Sequence, residues 1–174
     1  MLTRNYWLVY AAMITGNPSG LKYKVYNGSE FDCKKVTNTS YGSDVLNGIM
    51  FNRMDTIVQT VHPTAGVMFG DGTAAAKEDY WLSGNTISGI SVSSSETVEN
   101  SEDGCTKTRV YTIVNNNDTD ITIREVGYQG HVPTGASNNY VALLEHTILD
   151  SPITIPAGGV GQVTYTIRMN YPTA

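Results

Sequence analysis

Gln162-Val-Thr-Tyr-Thr-Ile-Arg-Met169 alternates without a break: Val163, Tyr165, Ile167 and Met169 fall on one side, Gln162, Thr164, Thr166 and Arg168 on the other. A period of two marks a strand with one face against a core. Burying the four apolar side chains contributes about 1.5–3 kcal/mol each before chain entropy is counted. A one-residue slip would expose them all, so the register is firm. Just upstream, Ile153 and Ile155 flank Thr154, and Pro156-Ala157-Gly158-Gly159 follows. Pro fixes φ and Gly supplies positive φ, so the chain reverses there, either as a hairpin or as a strand crossing between two sheets.

The reading extends toward the N-terminus. Lys107–Val114 and Asp120–Val126 are rich in β-branched residues and flank Asn115-Asn-Asn-Asp-Thr119, whose side chains bond their own backbone. They predict a second hairpin over Lys107–Tyr128. Ile121 and Ile123 share one face whereas Val126 and Tyr128 share the other, which predicts a β-bulge near Glu125. Tyr140–Ile148 fits helix or strand, and its place between strand pairs favours strand. Asp55–Val61 and Ala65–Phe69 predict strands around a turn at Pro63, and Ile87–Ser94 predicts another. Only Ser43–Phe51 invites a helical turn. The expected fold class is all-β: an antiparallel β-sandwich, Ig-like or jelly-roll-like, with little helix.

At 174 residues the chain suits one domain over 1–174, with a sandwich core over 61–172 and an N-terminal part over 1–60. Charged residues are 16% against about 25% in ordinary domains. Thr, Ser, Asn and Gly therefore supply the polar surface, a habit of strands and turns. Tyr, with 11 copies to 3 of Phe, suits strand surfaces and protein contacts. A net charge of −5, with no basic cluster beyond Lys34–Lys35, argues against nucleic acid and against an anionic membrane surface. Cys33 and Cys105 lie far apart and read as one long-loop disulfide or as two reduced, partly buried thiols, the thiols favoured because nothing looks like a disulfide scaffold.

Tyr6–Ile14 is the densest apolar run, too short to span a bilayer and only faintly like a signal peptide. It reads as a core strand or as an assembly arm, with Tyr6, Trp7, Leu8 and Tyr10 as candidate assembly contacts. The expected protein is made inside a cell without a signal peptide, so Asn27, Asn38 and Asn117 match the glycosylation pattern by chance.

No chemistry-bearing pattern stands out. His62, His131 and His146 lack metal-ligand spacing and read as surface or hydrogen-bonded structural histidines. Phe69-Gly-Asp-Gly-Thr73 imitates a phosphate loop but lacks the Gly-Lys-Ser/Thr ending, and reads as a Gly-rich turn leaving a strand. Asp71, Glu78 and Asp79, or Asn115, Asn117, Asp118 and Asp120, offer oxygen ligands for Ca²⁺ without matching an EF-hand, and read as solvated loops. The expectation is a non-enzymatic protein with no cofactor and no metal.

Gly66-Val-Met-Phe-Gly-Asp-Gly-Thr73, followed by Glu78-Asp-Tyr80 and Leu82, resembles a stretch in small structural proteins of tailed bacteriophages and prophages. Tyr111–Asn116, Asp120–Tyr128 and Leu143–Gly158, running into Val163–Ile167, agree with that family in the same order. The resemblance covers about residues 65–170. It implies a virion component without known catalytic residues, whose partners are copies of itself and other virion proteins. Such a protein decorates the capsid or builds the neck or tail. The alternative is a carbohydrate-binding or adhesin-like sandwich, with Trp7 and Trp81 stacking on sugar rings.

Overall fold

A computed structural model of the chain describes residues 1–15, 21–25, 27–32, 65–132 and 140–170. The expectations for Cys33, Asn38, Ser43–Phe51, Asp55–Val61, His62 and Pro63 lie outside the described residues. What is described is all-β with antiparallel sheets, as expected, and carries one helix. The elements are α1 (Arg4–Thr15), β1 (Lys22–Lys24), β2 (Glu30–Asp32), β3 (Gly66–Gly70), β4 (Ile90–Ser101), β5 (Gly104–Asn115), β6 (Ile121–Val132), β7 (Tyr140–Ile155) and β8 (Val160–Asn170). The strand orders are β1-β2, β3-β6-β7 and β4-β5-β8. Within the expected single domain the residues group into two compact units. One holds Met1–Ser88 with Thr122–Pro152, the other Gly89–Ile121 with Ile153–Ala174.

In the second unit, β8 keeps the alternation read from its sequence. Val163 and Tyr165 are buried and Ile167 is half-buried, whereas Gln162, Thr164, Thr166 and Arg168 are exposed. Met169 lies at the open end of the row and is exposed too. The central strand β5 pairs on one side with β8, Tyr111 opposite Val163, and on the other with β4, Ile113 opposite Val92. β4 and β5 form a tight hairpin around Glu102-Asp103, with Ser101 paired to Gly104. The Lys107–Tyr128 hairpin does not form, because β5 and β6 belong to different sheets. The Asn-rich turn does bond its own backbone: Asn117 N–H donates to Asn115 Oδ1 at 3.0 Å. Pro156–Gly159 likewise links strands of different sheets, the second of the two readings. Gly159 N–H donates to Pro156 O at 2.8 Å, and Gly158 takes φ +68°.

In the first unit, β3 pairs with β6 in an unbroken register from Gly66↔Gln129 to Gly70↔Glu125. No bulge interrupts that stretch. The parity of the apolar residues changes because residues 125–130 are buried on both faces. Tyr140–Ile148 is strand, as favoured, and β7 continues to Ile155. Met68, Leu82 and Leu143 form a buried cluster on which Trp81 packs.

The N-terminal segment is corrected. Tyr6–Ile14 is neither a core strand nor a separate arm but part of α1, and residues 1–3 run along β7 ahead of it. Leu2 bridges Glu145 in antiparallel sense, Thr3 N–H donates to Leu144 O and His146 N–H to Met1 O. The buried Asn5 side chain donates to Lys24 O at 2.9 Å and accepts from Lys24 N–H at 3.0 Å. Leu8 and Val9 are buried, while Trp7 and Tyr10, one helical turn apart, are 56% and 47% exposed. No described helix is long and apolar enough to cross a membrane.

Candidate functional site

Period two along β6 turns Glu125 to the same side as Ile123, into the first unit, where it is fully buried. A buried carboxylate is costly unless its lone pairs are filled, and five donors fill these. Oε1 accepts the N–H groups of Gly72 (2.9 Å) and Gly84 (2.8 Å). Oε2 accepts Ser83 N–H (2.9 Å), Ser83 Oγ (2.9 Å) and His146 Nε2 (2.7 Å). The glycines make room for it. A Cβ on Gly72 would sit 2.5 Å from Glu125 Oε1 and would collide with Ser83 Oγ and Gly84 N. The Gly-Asp-Gly stretch gives one backbone N–H, that of Gly72, and the 83–84 turn two more, to cradle an anion that is the protein's own side chain. Asp71, between the two glycines, accepts Asn85 N–H at 2.6 Å and so holds the 83–85 turn in place.

His146, from β7, is fully buried and continues the chain of contacts: its Nδ1 lies 2.7 Å from Asp79 Oδ2. Asp79 Oδ2 also accepts Ala76 N–H at 2.6 Å, and its side chain is 26% exposed. Ionised carboxylates only accept, so both imidazole nitrogens donate and His146 is an imidazolium between two anions. Burial alone would lower its pKa, but the hydrogen bonds and charges of Glu125 and Asp79 outweigh that and raise it above the ordinary 6.5. Burial alone would raise Glu125, yet the bonds from His146, Ser83 and Gly84 prevail and hold it at about 2.

These shifts fix a pH profile. Glu125, depressed from 4.5, contributes stability that is present above that value and lost as pH falls toward about 2. His146, raised, contributes stability that is complete below 6.5 and lost as pH climbs through its folded value. The urea midpoint is expected to plateau between about pH 4.5 and 6.5 and to fall on both sides. A midpoint that keeps rising from pH 6 to 9 would contradict the charged histidine.

Ser83 Oγ donates to Glu125, whose pKa of about 2 makes it a weak base, and both nitrogens of His146 are engaged by carboxylates. Among the described residues no group of three or more His, Cys, Asp and Glu side chains is placed to hold a metal ion. Asp71 and Asp79 of one oxygen-ligand set are engaged as above. In the other, Asp120 accepts Ala157 N–H and Asn115 donates to Thr119 O. Cys105 is a half-buried free thiol.

The sequence reading placed His146 among structural histidines but did not join it to Asp79 or Glu125. Of the proposed assembly contacts, Trp7 and Tyr10 are exposed, Tyr6 is half-buried with its ring 5.4 Å from that of Trp7, and Leu8 faces inward and cannot serve as one. No family model, curated protein or solved structure matches the chain.

Proposed function

We propose that the protein is a non-enzymatic structural component of a tailed-phage particle, repeated by symmetry as a capsid-decorating or neck or tail protein. The observation that carries this reading is the outer face of α1. Trp7 and Tyr10 stand exposed with ring centroids 6.4 Å apart, on a helix whose other face is anchored by Leu8 and Val9. Large exposed aromatics on a fixed element suit protein contact, where Trp and Tyr dominate binding energy. The Glu125–His146–Asp79 hub, in which Glu125 and His146 are buried with their polar atoms engaged, also supports a load-resisting role over a reactive one. The sequence blocks resembling phage structural proteins supply Gly72, Asp79, Glu125 and His146 of it, which ties that likeness to the fold's internal bracing.

Copies of this chain and neighbouring virion proteins are the expected partners. Particle mass spectrometry should find the protein in purified virions, in many copies if it decorates and few if it caps a tail. Trp7→Glu with Tyr10→Glu should leave a folded protein whose self-association or incorporation falls at least about tenfold, as loss of an interface anchor predicts. Absence from particles, or unchanged assembly of that double variant, would overturn the reading.

A further inference from the structure

We propose that a cleft beside Trp81 binds a neutral saccharide. Two adjoining clefts of about 310 and 430 Å³ share a wall made by Lys24, Glu78 and Asp79. Both fall in the size range of small-molecule sites, about 300–1,000 Å³. The smaller one adds Arg4, Lys22 and Glu30. Its charges cancel, Arg4, Lys22 and Lys24 against Glu30, Glu78 and Asp79, so neither an anion nor a cation is preferred.

The larger cleft adds an aromatic wall of Tyr80 and Trp81. Tyr80 is already engaged, with Lys24 Nζ 4.2 Å from its ring centroid. Trp81 packs on Met68, Leu82 and Leu143 while also lining the cleft, so the indole is a fixed platform. Unused polar groups of both kinds stand along the two clefts, Glu78 and Asp79 on the wall they share and Arg4 and Lys22 in the smaller one. Among the described residues the Arg4 and Lys22 side chains and Asp79 Oδ1 have no hydrogen-bond or ion-pair partner, and Glu78 has only an exposed Lys77 at 3.6 Å. A sugar meets both demands. Its C–H face stacks on an indole, and its hydroxyls donate to carboxylates and accept from ammonium and guanidinium groups. An apolar ligand would leave those groups desolvated and unpaired, and an ion would meet its own charge on one wall.

The inference stands apart from the virion reading, since a particle protein that binds no glycan refutes only the cleft. The chain has two tryptophans, so Trp7→Phe leaves Trp81 as the only indole reporter. Titrating that protein with maltohexaose, cellohexaose, mannohexaose and chitohexaose, alongside an array of neutral and acidic glycans, tests the class. Saturable change in Trp81 emission with a neutral glycan is expected. In calorimetry on the otherwise unaltered chain, Trp81→Ala should weaken that binding at least about tenfold. Glu78→Gln, at an exposed position outside the hub, should weaken it several-fold and decides the matter if Trp81→Ala fails to fold. No binding to any neutral glycan, preference for acidic ones, or binding unchanged by Glu78→Gln overturns the proposal.

Discussion

Glu125→Ala is expected to cost about 3–5 kcal/mol of folding stability, the range for breaking a buried ion pair from one side. That is a large share of the roughly 5–15 kcal/mol that holds an ordinary domain together. The loss is not one bond. Gly72 N–H, Gly84 N–H, Ser83 N–H and Ser83 Oγ lose their acceptor, and His146 keeps a buried charge with only Asp79 opposite. Glu125→Gln separates shape from charge. The amide oxygen can still serve two N–H groups, but its NH₂ must face donors, so an intermediate loss of about 1–3 kcal/mol is expected. Urea unfolding of the three proteins at pH 5.5 checks the order. An alanine variant within about 1 kcal/mol of the parent would mean that the hub does not brace the fold.

Deleting Met1–Ile14 should be as damaging and leave the protein insoluble. The cut strips the backbone bonds along β7, removes the bonds from Thr3 and Asn5 to Leu143 O and from Lys24 N–H to Asn5, and uncovers what Leu8 and Val9 bury. Losing each large buried side chain costs about 2–5 kcal/mol, and the sum approaches the stability of the whole domain. The Trp7/Tyr10 double variant serves as the contrast, because exposed substitutions usually stay within about 0.5 kcal/mol. Recovery of a soluble, cooperatively unfolding truncate would return the segment to the status of a detachable arm.

What was legible in the sequence follows from one-sided burial. β8 announces itself because Val163 and Tyr165 point inward and their Thr neighbours outward. β4 is half hidden for the converse reason: beyond Ile90 and Val92 nearly every residue is exposed, so Ser, Glu and Asn leave no apolar alternation to read. The Asn115–Thr119 turn chemistry was visible, but local chemistry does not say which sheet the next strand joins. α1 was misjudged because Tyr, Trp and Val are strand formers by propensity, and burial of Leu8 and Val9 on tertiary contacts overrides that preference. The hub escaped because three of the five donors to Glu125 are backbone N–H groups, which have no residue signature. The glycines at 72 and 84 were its only trace.

The partners of Glu125 lie 21, 41, 42 and 53 residues away along the chain, and Asp79 lies 67 from His146. Each contact closes a long loop, and the chain entropy of those closures is lost before the carboxylate is satisfied. A partly folded chain holding only some of them has desolvated an anion without its donors, which is worse than none. The hub therefore belongs to no fragment, and it is complete only when all of these segments are in place. Parting any one of them leaves a desolvated carboxylate short of donors.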